Sequence, residues 1–182
     1  MQKYYKAEMD RFLRFSTRAL RLFFFLPPLI LVLVWYTARH SPSGAPPPPF
    51  LDKFLGLGML LFAALIAATA HVTRAMAPRG YALNDVELLI DRAMKPVRIP
   101  LREILEVSEL EDGLLRRSLR LLGASGYYGY YGLFWNKKLG RYRAYVTRTT
   151  GLLAVRTEKS LYVLSPDDNK DFASSLNSLI RK

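Results

Sequence analysis

The sequence FLGLGMLLFAALIAATAHVT, residues 54–73, contains no Asp, Glu, Lys or Arg over twenty positions. An α-helix rises 1.5 Å per residue, so about twenty apolar residues cross the roughly 30 Å hydrocarbon core of a bilayer. A second uncharged stretch, LFFFLPPLILVLVWYTA at residues 22–38, precedes it. This shorter stretch spans if its ends snorkel or the bilayer thins locally. The two stretches predict a transmembrane hairpin with helices at 22–38 and 54–75.

A cleaved signal peptide is the alternative explanation for the first stretch. Its apolar core exceeds the usual length of about 7–15 residues, and Pro46 directly follows the small residues that resemble a cleavage site. We therefore expect the stretch to remain as a span. The connecting segment 39–53 includes four consecutive prolines, Pro46–Pro49, which favour a stiff polyproline II conformation. It is predicted to be a short external loop.

The distribution of Lys and Arg predicts the orientation of the hairpin. Six basic residues precede the first span, two lie in the loop, and four follow the second span within twenty-two residues. Because cytoplasmic flanks are enriched in Lys and Arg, both termini are expected to be cytoplasmic in a multi-pass inner-membrane protein. In the basic leader, residues 1–21, apolar residues recur at helical spacing. A helix lying on the anionic leaflet and simple positive-inside charge both account for this leader.

The overall charge points to anionic partners. The chain has 27 Lys and Arg against 15 Asp and Glu, a net charge of +12, and no Cys. Such a balance suits a nucleic acid or an anionic membrane surface. The membrane anchor accounts for much of the charge, so no nucleic-acid partner is expected. The absence of Cys excludes disulfides, thiolate metal sites and a Cys nucleophile.

From residue 79 the pattern becomes that of a soluble domain, predicted at 79–182. Short β-like runs follow one another between turn signals. In one of them, Tyr142, Ala144 and Val146 alternate with Arg141 and Arg143, as in a half-buried strand.

A C-terminal helix is predicted after these strands. Ser165 is interpreted as its N-cap, with Asp168 completing an S-x-x-D capping pattern. One apolar stripe then follows at helical spacing, formed by Phe172, Leu176, Leu179 and Ile180.

These segments together resemble the bacterial pleckstrin-homology (PH) domain family. The resemblance rests on GYYGYYGLF at 126–134, YRAYVT at 142–147 and YVLSPDD at 162–168. It implies a membrane-anchored α+β protein, in which a seven-stranded, bent antiparallel β-barrel or sandwich is capped by the C-terminal helix. Phosphoinositide-binding PH domains place cations at the first strand–strand loop. Here that loop, residues 83–87, is acidic, so phosphoinositide recognition is not expected.

The sequence contains no recognisable catalytic or metal-binding motif. His40 and His71 are isolated from each other, and H-E-x-x-H does not occur. Asp167, Asn169 and Asp171 imitate the start of a calcium loop, but the later Gly and Glu of that loop are missing. The glycines at 123, 126, 129 and 132 follow no nucleotide-binding spacing and predict bulges or a strand bend. We predict no enzyme activity, cofactor or metal.

Three functions remain, with one candidate contact surface. We favour a non-enzymatic scaffold that engages a protein partner or its own copies at the inner leaflet. The alternatives are a lipid-contacting domain and an accessory subunit of a membrane transporter or enzyme. The candidate contact with a partner or an anionic surface, of which only weak, nonspecific lipid contact is expected, consists of Lys137, Lys138, Arg141 and Arg143.

Overall fold

The computed structural model of the protein describes residues 3–40 and 49–180. The chain divides into two compact units. One comprises Met1–Thr17 with Thr73–Lys182, and the other comprises Arg18–Val72. We call the first the domain unit.

Two long helices correspond to the predicted hairpin. They are α1 (Arg11–Arg39) and α2 (Pro49–Met76), and each is long and apolar enough to cross a membrane. Pro27 and Pro28 lie inside α1, and Pro49 opens α2, where its missing N–H has no helical partner to lose. The central part of the predicted proline-rich loop, residues 41–48, lies outside the described residues. Its last part, residues 49–53, belongs to α2.

The domain unit contains two β-sheets. The four-stranded sheet has the order β1-β2-β3-β4 and is antiparallel throughout: β1 (Lys3–Lys6), β2 (Pro78–Leu83), β3 (Glu87–Arg92) and β4 (Val97–Pro100). The six-stranded sheet has the order β5-β9-β10-β8-β7-β6: β5 (Ile104–Leu110), β6 (Leu119–Ser125), β7 (Tyr130–Asn136), β8 (Gly140–Val146), β9 (Leu152–Thr157) and β10 (Leu161–Leu164). Within it β10 and β8 pair in parallel, and every other pair is antiparallel.

The sheets form a sandwich and do not close into a barrel. Within the described residues, β5 and β6 each pair with one neighbour and are the two edges of the six-stranded sheet. The segment that joins them includes a short 3-10 helix, Leu115–Arg117, and inserts Leu114 and Leu115 into the core. The predicted α+β class with a terminal helix is confirmed.

The C-terminal helix, α3 (Asn169–Ile180), begins later than the sequence predicts. The interpretation of Ser165 as its N-cap is wrong, because the Asp168 carboxylate accepts the Asp171 N–H at 3.0 Å and caps the helix. Ser165 is fully buried, and its Oγ accepts the Thr147 N–H at 2.9 Å. Its own N–H donates to the Tyr81 hydroxyl at 3.1 Å. These tertiary hydrogen bonds hold Ser165 before the helix. The apolar stripe is confirmed at Phe172 and Leu176, which are both fully buried.

The N-terminal leader is part of the domain unit. Residues 3–6 form β1 and pair with β2, so this part of the leader is a strand, whereas the helix interpretation holds only from Arg11. Asp10 then fixes the start of α1: its Oδ1 accepts the Leu13 N–H at 2.7 Å. Its Oδ2 accepts both the N–H and the Oγ1–H of Thr149, at 2.9 and 3.0 Å. The carboxylate of Asp10 therefore joins α1 to the loop after β8.

Candidate binding site

The four predicted contact residues separate into two pairs. Lys137 and Lys138 lie in the turn after β7 and are exposed. The Lys138 Nζ lies 2.7 Å from Glu111 Oε2, and this hydrogen-bonded ammonium lowers the pKa of the Glu111 carboxyl. Arg141 and Arg143 are exposed on β8. Lys138 is therefore engaged within the chain, while the two arginines project from the sheet.

Arg141 and Arg143 share one sheet face with exposed apolar side chains. Residues directly opposite on paired strands present their side chains to the same face. Across β6, β7 and β8, Leu119 lies opposite Trp135 and Trp135 opposite Arg141. One step further along, Leu122 lies opposite Leu133 and Leu133 opposite Arg143. We call this set the apolar-basic face: Leu119, Leu122, Leu133, Trp135, Arg141 and Arg143.

The apolar members of this face are unusually open to solvent. Leu119 is 62% exposed, Leu122 is 73% exposed and Trp135 is 40% exposed. A register shift between Arg120 and Leu122 interrupts the pairing of β6 with β7. This shift lies before the glycines at which bulges were predicted, and Gly123 pairs in register with Gly132. All residues of β6 from Leu119 to Gly123 are exposed, so the consecutive Leu121 and Leu122 both face solvent.

The tyrosines of the glycine-rich hairpin are largely buried. Tyr127, Tyr128 and Tyr131 are buried and Tyr130 is half-buried. The Tyr131 hydroxyl donates to the Thr73 carbonyl near the end of α2 at 2.7 Å, and burial raises its pKa to about 12. These rings are used to build the domain.

The hairpin between β6 and β7 meets both helices at its turn. Ser16 Oγ donates to the Gly126 carbonyl at 2.8 Å, and the Tyr128 N–H donates to Thr17 Oγ1 at 3.1 Å. With the Tyr131–Thr73 hydrogen bond, these contacts place the first turns of α1 and the last turn of α2 beside residues 126–131. A strand rises about 3.3 Å per residue, so Trp135 lies roughly 13 Å along β7 from Tyr131. The apolar-basic face therefore extends away from the helix-joined end of the hairpin.

Charge is unevenly distributed along the six-stranded sheet. Residues 103–112, which include β5, contain five acidic and no basic residues. Residues 113–157, which run from before β6 to the end of β9, contain nine basic and no acidic residues. Four of these nine cations are the predicted contact residues. The charge run is readable in the sequence, whereas the separation of β5 and β6 to opposite edges of the sheet is not.

A pocket of about 330 Å³ lies beside the predicted lysines. Its lining has mixed charge, with Glu111, Asp112, Arg117, Lys137 and Lys138 among the contributing residues. This mixture gives no preference for an anionic ligand. Among the residues described, no group of three or more His, Cys, Asp or Glu is arranged to hold a metal ion.

The backbone N–H groups of Val86 and Glu87, in and directly after the first loop of the domain, form hydrogen bonds within that loop. Asn84 Oδ1 accepts the N–H groups of Val86 and Glu87, at 2.9 and 2.7 Å. Glu87 Oε1 in turn lies 3.5 Å from Arg98 Nη1. Backbone donors in this loop are therefore already occupied, and the nearby side chain is a carboxylate.

Comparison with known proteins identifies the domain. A family model described as Bacterial PH domain matches residues 79–180, which is more than half of the chain. No curated protein and no solved structure matches the sequence. The match covers β2 to α3, so it includes both sheets except for the leader strand β1. The protein belongs to the bacterial PH domain family.

Proposed function

We propose that this protein is a non-enzymatic, membrane-anchored scaffold that engages a protein partner or its own copies at the inner leaflet. The two apolar helices anchor it as an integral two-span inner-membrane protein with both termini in the cytoplasm. PH domains are generally non-catalytic binding modules, and membership in this family supports a binding role.

The apolar-basic face is the observation that carries this proposal. Exposed leucines and a tryptophan beside arginines are the composition expected of a protein interface, in which Trp and Arg are enriched as energetic anchors. Contiguous exposed apolar side chains on a folded domain also mark interaction sites more often than ordinary surface.

The ends of the two helices that adjoin the domain are part of the domain unit. Strand β1, the Asp10 carboxylate and the Tyr131–Thr73 hydrogen bond fix the domain unit to the beginning of α1 and the end of α2. Ala77 alone separates α2 from β2. The beginning of α1 and the end of α2 therefore belong to the same compact unit as the apolar-basic face.

Contact with anionic lipid is the second candidate, favoured by the acid-free stretch 113–157. Each cation near an anionic leaflet contributes about 1 kcal/mol, and salt screens this attraction. However, Lys138 is already paired with Glu111, and the first loop of the domain carries the Glu87 carboxylate. We therefore propose that lipid contact is weak, nonspecific and salt-sensitive, with no preferred headgroup.

Affinity purification of the full-length protein tests the proposal. The tagged chain, expressed at native level and extracted in mild detergent, is compared with Leu122→Ser and Trp135→Ala. Loss of an interface anchor costs about 2 kcal/mol or more of binding free energy. We therefore expect at least a tenfold lower recovery of one specific co-purifying protein, or of a co-expressed second copy of the chain that carries a different tag.

The matched control is Val86→Ser, because Val86 is 73% exposed in the first loop, outside the apolar-basic face. It should retain wild-type recovery. Equal recovery with all three variants would refute the proposal. A partner that is a transporter or enzyme subunit would identify the protein as its accessory subunit. Salt-resistant binding to a single phosphoinositide in vesicles would instead support a lipid receptor.

A further inference from the structure

We propose that copies of this chain join head to tail, with edge strand β5 of one copy pairing with edge strand β6 of the next. This inference rests on the proposed scaffold function and names a second copy of the chain as the partner. The result is one β-sheet that continues across neighbouring molecules.

Both strands offer an unpaired edge. In the residues described here, β5 pairs only with β9, and β6 pairs only with β7. An edge strand presents backbone N–H and C=O groups that can template another strand. Each edge also exposes a large apolar side chain at its start, Leu105 at 59% and Leu119 at 62%. Pairing would cover both the backbone groups and these leucines.

The charges beside β5 and β6 favour pairing of β5 with β6 over pairing of two like edges. Two β6 edges would bring Arg116, Arg117 and Arg120 of both copies together, and two β5 edges would oppose their Glu residues. Like charges directly opposite on paired strands destabilise a sheet, while opposite charges stabilise it. Only the β5–β6 combination places the acidic segment 103–112 against a basic segment.

The side chains best placed for this attraction are Glu106 and Arg120. Both are exposed. Glu106 lies opposite Arg156, with its Oε2 3.9 Å from Arg156 Nε, and Arg156 is in register with Leu161. Arg120 lies opposite Phe134, which is in register with Tyr142. Leu161, Phe134 and Tyr142 belong to one core cluster, so Glu106 and Arg120 project toward the same face of the sheet.

The strand directions suit molecules anchored in one membrane. Following the pairings across the sheet, β5 is antiparallel to β9, β9 to β10, β8 to β7 and β7 to β6, while β10 and β8 are parallel. Strands β5 and β6 therefore run in the same direction. A parallel, head-to-tail contact of β5 with β6 therefore requires no inversion of either copy.

Two further features make the contact specific and attainable. Register shifts at Ile104–Glu106 and Arg120–Leu122 interrupt each edge once, and such bulges discourage indiscriminate pairing. Anchoring in a bilayer also confines the copies to two dimensions, which raises their effective concentration. A head-to-tail contact closes into a ring or extends as a row, depending on the rotation between neighbours.

Site-specific cross-linking in membranes tests the inference directly. The natural chain has no Cys, so a single introduced thiol is unique. Full-length Ser108→Cys and Leu121→Cys chains, which keep both charges, carry different tags, are co-expressed and are treated with a short bismaleimide. We expect a strong mixed dimer carrying both tags. The control pair, Arg102→Cys with Glu158→Cys, uses exposed positions outside β5 and β6 and should give little product.

Charge reversal supplies a second measurement. Using a cross-linkable pair at Ser108→Cys and Leu121→Cys, single Glu106→Arg and Arg120→Glu substitutions should each lower the mixed-dimer yield at least threefold. Combining both substitutions in every chain restores opposite charges across the contact and should recover the yield.

The outcomes separate this inference from the proposed function. Predominant Leu121→Cys homodimers, yields equal to the control, or no recovery by the double reversal would overturn head-to-tail pairing. Loss of cross-linking with retained capture of another protein on the apolar-basic face would leave the scaffold function standing. Absence of both would refute the two together.

Discussion

At the scale of single residues, two glycines decide how closely strands β6 and β7 approach. Gly123 lies opposite Gly132, with φ of 113° and 117°. A Cβ on Gly132 would overlap the carbonyl oxygen of Leu122, and one on Gly123 would overlap that of Tyr131. Both positions therefore require glycine for space and for backbone conformation. The Gly123–Gly132 pair lies next to the register shift between Arg120 and Leu122.

Gly132→Ala should therefore lower the free energy of unfolding by about 2–5 kcal/mol, because it adds overlap to left-handed backbone strain. The matched control is Gly113→Ala, where φ is 84° and nothing lies within 4 Å of the added Cβ. It should cost only about 1–2 kcal/mol. Chemical denaturation of the full-length protein in detergent measures both values, and equal losses would contradict the close-approach argument.

At the scale of elements, α3 is held by an aromatic cluster. The Phe172 ring lies edge-on to Tyr5 at 5.1 Å and to Tyr81 at 6.0 Å between ring centroids. The Tyr81 hydroxyl donates to the Tyr145 carbonyl at 2.6 Å, and burial raises its pKa to about 12. This cluster joins the leader strand, β2 and α3.

Phe172→Ala or Leu176→Ala should each cost about 2–5 kcal/mol, since each leaves a cavity beneath α3. Lys170→Ala, an exposed position on the same helix, is the control and should be nearly neutral. Thermal unfolding of the full-length protein measures the change. Wild-type stability of both core variants would show that α3 does not close this core.

The docking of β1 onto α3 should weaken in acid. The Tyr5 hydroxyl donates to Asp171 Oδ2 at 2.6 Å, and Lys3 Nζ lies 3.4 Å from Oδ1. The Tyr5 hydrogen bond and the Lys3 ammonium lower the pKa of the Asp171 carboxyl below its ordinary value of 3.8. A group with a lowered folded-state pKa stabilises the fold above its ordinary pKa, and this stabilisation is lost as pH falls through the folded-state value.

Hydrogen exchange of the β1 amides measures this effect. After correction for intrinsic rates, protection of residues 4–6 should be constant from about pH 7 to 5 and fall below about pH 4. Asp171→Asn should remove this pH dependence, while the amides of the central strand β9 remain protected. Unchanged pH dependence in the variant would assign the effect to another group.

At the scale of the whole molecule, the domain is discontinuous in sequence. The family match spans 79–180, whereas the compact domain unit also includes Met1–Thr17. A fragment beginning at residue 79 lacks β1 and the Asp10 carboxylate, and it exposes the edge of β2 that β1 covers. Experiments on binding should therefore use the full chain. The predicted domain boundaries and the sidedness of the termini stay predictions.

Reporter fusions test the orientation of the chain. A fusion after Lys182 should report the cytoplasm, and an insertion between Ser43 and Pro46 should report the external side, because basic residues concentrate outside the loop. A reporter inserted in the first loop of the domain, after Asp85, is the internal control and should match the C-terminal fusion. A cytoplasmic signal from the 43–46 insertion would contradict the charge argument.

The sequence by itself determined the features that depend on local composition. Two long apolar helices, the amphipathic pattern of α3 and the glycine- and tyrosine-rich hairpin follow from periodicity and residue type. Membership in the bacterial PH domain family follows from the hairpin and closing motifs.

Only the tertiary structure decided what depends on distant residues. The leader strand pairs with residues more than seventy positions away, and Ser165 is drawn from a cap position by Tyr81 and Thr147. The exposed face formed by Leu119, Trp135 and Arg141 likewise requires three strands in register. Local propensity carries no information about such pairings, because their energy arises only when separate segments meet.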